Sequence, residues 1–215
     1  MPPGRSDRSH HGAMTVPSPA QQLADHVQHL IGGGSFSPPG GWNHMGAVIC
    51  DVSFQPRCNY AATLRPRLLQ LQESWPDART VRGFQSRIAT EDLALAMRFH
   101  HAKKVATAHA ITDLLAGHGV DTREDLHTWL DRQVNRAALR TVKGVGPKSI
   151  NYLGTLVGRA EVAVDVHLRA FAAEAGVGDL RYEQLRAVYV KAAALLGHHR
   201  GGLEHAVWRY KSGAA

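Results

Sequence analysis

The turn Gly144-Val145-Gly146-Pro147 constrains this chain more than any other stretch. Glycine accepts the positive φ values and close backbone approaches that a Cβ resists, so the chain can reverse sharply at this point. Pro147, with a fixed φ and no N–H, suits the first position of a helix. Leu153, Leu156 and Val157 supply an apolar stripe behind it, and Ala137, Ala138, Leu139 and Val142 read as an earlier short helix. The spacing predicts a helix, a tight hairpin and a second helix over 137–157.

A hairpin of this kind leaves backbone N–H groups unpaired at the start of its second helix, where the helix dipole adds partial positive charge. A phosphodiester fits such a place. Amides of Gly144, Val145, Gly146 and Ser149 would position DNA without reading its sequence. Lys143 and Lys148 flank the turn and offer charge-assisted contacts that weaken as salt rises.

Seventeen positions beyond Lys148 (165 − 148) stands Asp165, in Val164-Asp-Val-His-Leu168. Together, Val142-Lys-Gly-Val-Gly-Pro-Lys-Ser149 and this second motif resemble the helix-hairpin-helix DNA glycosylase superfamily, near endonuclease III and 8-oxoguanine glycosylase. The family signature is Leu-Pro-Gly-Val-Gly, a lysine two positions on, then Val-Asp-x-His. Here Val142 and Lys143 replace the Leu-Pro pair and leave the turn glycines in place. The resemblance implies that Lys148 attacks the sugar C1′ and that Asp165 assists, the pattern of a bifunctional glycosylase with AP-lyase activity in base-excision repair.

The chemistry is coherent with those roles. A lysine at a helix start, partly desolvated, has its pKa lowered and a larger fraction of nucleophilic amine. A carboxylate held near C1′ stabilises the oxocarbenium charge that develops only in the transition state. Taken singly, Lys148 is an ordinary phosphate-facing lysine and Asp165 an N-cap for a helix from about Val166 to Ala175. Two other functions fit the same motifs: a monofunctional glycosylase relying on Asp165 alone, and a non-catalytic hairpin module that binds DNA. Oxidised pyrimidines, oxidised purines and specialised modified bases are all compatible with the pattern.

By the same resemblance, the loop Asp51–Asn59 supplies side chains that fill the gap left by a flipped base, with Gln55, Arg57 and Asn59 as candidates. Base flipping is needed because the glycosidic bond is inaccessible within the stack. Lys103 matches a backbone-contacting lysine. The hairpin carbonyls of Arg140, Val142 and Val145 are the expected seat of a monovalent cation. No iron–sulfur cluster is expected: the family's cluster loop opens with Arg-Tyr-x-Cys, whereas this chain has Arg209-Tyr-Lys-Ser212 and only two cysteines, Cys50 and Cys58. His198, His199 and His205 lack a metal-ligand spacing and are expected to face solvent or cap helices.

A formal charge of +7 favours a polyanionic partner, here double-stranded DNA with a damaged or modified base bound by a monomer. No run of eighteen apolar residues and no apolar signal core in 1–19 points to a soluble protein of the cytoplasm or nucleoid, without a membrane partner. Residues 1–18 are rich in Pro, Ser, Gly, Arg and His and are expected to be a disordered tail.

From 19 to 215 the periodicity is helical almost throughout, so the fold class is all-α. Helices are expected over 20–31, within 42–50, and over 60–71, 90–97, 103–115 and 123–134, followed by 166–175 and two more before 212. The family architecture adds two lobes: a middle one over about 60–157, and a second built from 20–31 with 165–212, with DNA across the cleft between them. Thr122 and Asp125 read as a capping box.

Overall fold

The computed structural model describes residues 16–32 and 36–213, which are helical with no strand among them. The expected tail falls mostly on residues 1–15, outside the described residues. Twelve α-helices are described: α1 Pro19–Leu30, α2 Met45–Phe54, α3 Arg65–Ser74, α4 Val81–Thr90, α5 Leu93–Ala96, α6 Ala102–Gly117, α7 Arg123–Trp129, α8 Gln133–Arg140, α9 Pro147–Leu156, α10 Val166–Glu174, α11 Tyr182–Leu195 and α12 Arg200–Ser212. A π-turn over Tyr60–Leu64 leads into α3, and a 3₁₀ turn over Pro76–Arg79 precedes α4.

Apolar side chains gather in two cores. The first draws on residues 45–157 and has α2 at its centre, packed by α3, α6 and α9. All ten residues of α2 are buried, which suits a helix with almost no polar stripe. Ile49 and Phe54 are fully enclosed there, each worth about 1.5–3 kcal/mol of apolar burial. The sequence-based start of this region near residue 60 therefore leaves out its central helix. The second core joins Leu23 and Val27 of α1 to Phe171, Tyr189, Leu203 and Val207, with α1 against α11 and α12 against both α10 and α11.

Three expected helices are redrawn. α2 does not stop at Cys50, because Asp51 is buried against three hydrogen-bond donors and does not break the apolar run. The segment 90–97 contains only the end of α4 and the short α5, capped by Asp92, whose carboxylate accepts from Ala94 N and Leu95 N. The run 123–134 divides into α7 and α8. Asn135 Nδ2 donates to the Trp129 carbonyl at 2.7 Å and Arg136 Nε to that of Leu130 at 2.8 Å, so side chains take the acceptors that a continuing helix would use. Thr122 and Asp125 do form the capping box of α7.

Two connections pass between the cores. Residues 36–44 run from Phe36, ring against ring with His198, to Gly41, whose approach to α9 is so close that a Cβ would lie 1.9 Å from the Leu156 carbonyl. Residues 157–165 form the other. There Glu161 accepts from Arg136 at 2.5 Å, while Asn151 reaches the Val162 carbonyl and the Tyr182 hydroxyl. Both connections approach α9, whose first turn lies beside the seam.

Candidate active site

The hairpin is built as its sequence requires, with one division of labour. Gly144 has φ +94° and packs so that a Cβ would lie 2.9 Å from the Thr107 hydroxyl. Gly146 has φ −108°, a value open to any residue, and a Cβ on it would meet nothing within 4 Å. Only the first glycine is demanded by the turn itself. Val145 N donates to the Val142 carbonyl at 3.0 Å, closing the turn, and Ile150 N to that of Gly146. α9 then begins at Pro147 with no side-chain cap. Among the described residues the amides of Gly144, Gly146, Lys148 and Ser149 have no hydrogen-bond partner.

Thr107 on α6 ties this hairpin down. Its hydroxyl lies 2.9 Å from the Lys103 carbonyl and 3.0 Å from that of Lys143, so one donor is shared between two acceptors. Lys103 and Lys143 are both exposed and stand on the same side of the molecule through that clasp. The neighbouring Lys104 is used differently. Its ammonium donates to the carbonyls of Phe54 (2.8 Å) and Pro56 (2.6 Å) and fixes the start of the loop after α2.

Lys148, in the first turn of α9, points into the seam between the cores. Its Nζ donates to Gln55 Oε1 at 2.5 Å and lies 4.5 Å from the centre of the Tyr152 ring, one turn further along. Burial pushes its pKa down, opposed by the charges of Asp165, Glu204 and Asp51. The Tyr152 hydroxyl donates to Asp51 at 3.0 Å, and Trp42 Nε1 and Tyr60 OH reach the other Asp51 oxygen at 2.7 and 3.3 Å. Burial pushes Asp51 up to about 6 against those three donors and Lys148. The ring beneath the ammonium is thus locked through a buried carboxyl group.

Asp165 is the N-cap of α10. Oδ1 accepts from His167 N at 2.9 Å and Leu168 N at 3.0 Å, which fixes the carboxylate, while Oδ2 makes no hydrogen bond among the described residues. The structural role and the proposed chemical one are therefore compatible, each using a different oxygen.

Lys148 and Asp165 line one recess of about 80 Å³, together with Tyr60, Tyr152, Glu204 and Trp208. Beside it runs a groove of about 680 Å³ that shares Gln55, Tyr60, Lys148, Asp165 and Trp208 and also includes Arg57, Asn59 and His167. The three loop candidates differ in freedom. Gln55 is engaged by Lys148, and Asn59 caps the π-turn by accepting from Ala62 N. Arg57 holds φ +56° and makes no hydrogen bond or ion pair among the described residues.

Sequence reasoning missed three members of this site: Asp51, Tyr152 and Glu204. Tyr152 stands four residues after Lys148, the spacing that brings two side chains together on a helix. Asp51 is an acid within an apolar helical run, a pattern legible as a buried charge, whereas Glu204 stands in a helix of mixed composition that does not mark it. Glu204 is 8% exposed and has no hydrogen-bond partner among the described residues. Burial and the Asp165 charge raise its pKa to about 8, with Lys148 opposing.

The hairpin carbonyls are disposed as follows. Val142 accepts the turn bond from Val145 N, and those of Arg140 and Val145 accept no backbone bond among the described residues. No cluster of three His, Cys, Asp or Glu side chains able to hold a metal occurs among the described residues. His199 caps α12 by accepting from Gly202 N. His205 is stacked on Trp208 and lines the recess with it. No described helix is long and apolar enough to cross a membrane.

Residues 65–212 match the family described as Domain of unknown function (DUF8548), and the chain belongs to that family. No curated protein and no solved structure matches it.

Proposed function

We propose that this protein is a bifunctional DNA glycosylase with AP-lyase activity, in a two-lobed helix-hairpin-helix fold whose two cores are the lobes and whose seam receives a flipped nucleotide. The observation that carries this reading is the enclosure of the Lys148 ammonium and the Asp165 carboxylate in one recess, directly behind a hairpin with unpaired amides. Duplex DNA would lie with a phosphate on the amides of Gly144, Gly146 and Ser149, and with Lys143 and Lys103 on neighbouring phosphates. Arg57 is the loop side chain free to fill the vacated stack, and Gln55 and Asn59 line the same groove. The open carbonyls of Arg140 and Val145, with the second lone pair of Val142, suit a monovalent cation anchoring that phosphate.

The reaction begins with neutral Lys148. Its Nζ lone pair forms a bond to C1′ as the C1′–N bond to the base breaks and that electron pair leaves with the base. Asp165 stabilises the positive charge on the sugar and accepts the proton shed by the new ammonium. As the nitrogen lone pair forms the C=N bond, the C1′–O4′ bond breaks and O4′ takes the proton held by Asp165. The restored carboxylate then removes a C2′ proton, whose electron pair forms the C2′=C3′ bond as the 3′ phosphate leaves. Gln55 has a preparatory part: its carbonyl oxygen is the hydrogen-bond partner that Lys148 must leave to reach the sugar.

Borohydride tests this directly. Reduction in the presence of duplexes carrying an oxidised pyrimidine, an oxidised purine or an abasic site is expected to link protein to DNA covalently, and Lys148→Gln to abolish the adduct. Base release persisting in Lys148→Gln would instead make the enzyme monofunctional. Salt-sensitive DNA binding with neither release nor trapping would leave a binding module.

A further inference from the structure

Beyond Lys148 and Asp165, the recess is lined by a second carboxyl group that the reaction above does not use. Glu204 projects from the first half of α12, is 8% exposed, and forms neither a hydrogen bond nor an ion pair among the described residues. An acid buried without a partner is costly to retain for stability alone. The residues around it describe a place for a planar ring: Trp208 lies one turn further along α12, with the Tyr60 ring edge-on to it at 6.5 Å, and both line the recess.

We infer that Glu204 is the catalytic acid of this site, donating its carboxyl proton to the departing base. The inference rests on the glycosylase reading above. Lys148 and Asp165 act on the sugar, which leaves the base side of the C1′–N bond without a proton source. As that bond breaks, its electron pair passes to the base, and the Glu204 proton moves to a ring nitrogen or carbonyl oxygen of the base. The base leaves neutral and Glu204 remains as a carboxylate, to be reprotonated from water.

The charged and titratable groups facing Glu204 support this division. Lys148 and Tyr152 face it from α9, Asp165 from the start of α10, Tyr189 from α11, and His205 is its neighbour on α12. Burial and the neighbouring Asp165 charge both disfavour ionisation of Glu204, and a neutral Lys148 does not oppose them. Burial raises its pKa to about 8, so the acid form persists at neutral pH, the condition for a general acid.

Glu204→Gln and Glu204→Asp, assayed in the full chain, test the assignment with two measurements. The first is base release from duplexes with one oxidised pyrimidine, one oxidised purine or one 3-alkylated purine. The second is borohydride trapping on a duplex with a preformed abasic site, which has no base to protonate. Glu204→Gln is expected to slow release by about 10²–10⁴-fold while trapping stays within about twofold of wild type. Wild-type release should decline as pH rises through about 8, and that decline should vanish in the Gln variant and return in the Asp variant. Unchanged release, or equal loss of release and trapping at an unchanged unfolding midpoint, overturns the role of Glu204 and leaves the glycosylase reading intact. Wild-type protein that neither releases a base nor traps DNA overturns both.

Discussion

Two helices begin at the seam between the cores, and they begin differently. α9 starts behind Gly146 with no side chain on its amides, whereas α10 starts behind Asp165, whose Oδ1 takes two of its amides. Both starts carry the same partial positive charge. One meets it with an internal anion and the other leaves it open. On the proposed glycosylase reading the difference divides the charges of the ligand: a phosphate would belong at α9, and a developing sugar cation beside the carboxylate at α10.

The largest expected effect breaks the α10 side. Asp165→Asn preserves a capping side chain, so the fold should keep its stability within about 0.5 kcal/mol, while base release falls about 10²–10³-fold through loss of the charge. Asp165→Ala should lose the same activity and also about 1 kcal/mol of stability with the cap. Equal stability of the Asn and Ala variants, measured by urea unfolding, would show that the N-cap contributes nothing and that the α10 start is as open as that of α9.

Next in size is the stability cost of the acid placed over the seam. Glu204 has an unfolded pKa near 4.5 and a folded value of about 8. The native state therefore binds more protons than the unfolded state between those values. Stability should fall as pH rises from about 4.5 to about 8 and level off above, by a total on the order of 2–5 kcal/mol. Glu204→Gln should be less pH-dependent in that window and more stable than wild type at pH 9. A variant no more stable than wild type at pH 9 would mean that the carboxyl group finds a partner on ionising. Asp51, pushed up to about 6, adds a smaller decline at lower pH.

These sites also show what the sequence makes legible. The hairpin, the α9 start and Asp165 follow from local spacing, because glycine, proline and an N-cap act on the backbone within a few residues. The all-α class follows from periodicity. α4 is absent from the helices expected from sequence: Val81, Phe84 and Ile88 share one helical face, but the surrounding Arg82, Arg87 and Glu91 obscure the stripe. Arg87 pairs with Glu91 and Asp77 on its exposed side. Glu204 and Asp51 are not readable as site residues because each acquires its meaning from distant chain: Asp51 from Tyr152, 101 residues away, and Glu204 from a recess closed by Lys148 and Asp165. The break between α7 and α8 is local, made by Asn135 and Arg136 each reaching back six residues to a carbonyl, a side-chain conformation that apolar periodicity does not report.

Within the hairpin, the comparison sharpens to two glycines two residues apart. Gly144→Ala forces φ +94° on a residue with a Cβ and sets that Cβ 2.9 Å from the Thr107 hydroxyl, so it should cost about 1–2 kcal/mol. Gly146→Ala meets open space at φ −108° and should change stability by less than about 0.5 kcal/mol. Its methyl group would stand beside the unpaired amides and should weaken duplex binding several-fold. Chemical denaturation together with fluorescence anisotropy separates the two outcomes. Equal effects of both variants on stability, with no effect on binding, would remove the phosphate from the α9 start.

The smallest effect concerns the lysines around that start. Lys143 and Lys103 are exposed and held on one side by the shared Thr107 hydroxyl, so neither is needed for packing. If each neutralises one phosphate, Lys143→Gln and Lys103→Gln should each lower the slope of log affinity against log salt by about 0.9. The double variant should lower it by about twice that, since contacts to separate phosphates release counterions independently. Lys104 provides the internal contrast: its ammonium is engaged by the Phe54 and Pro56 carbonyls. Lys104→Gln should therefore loosen the loop that carries Arg57 and leave the salt slope of duplex binding unchanged. A slope that drops for Lys104 and holds for Lys103 would move the DNA path from the hairpin face to the loop face, and with it the assignment of which helix start receives the phosphate.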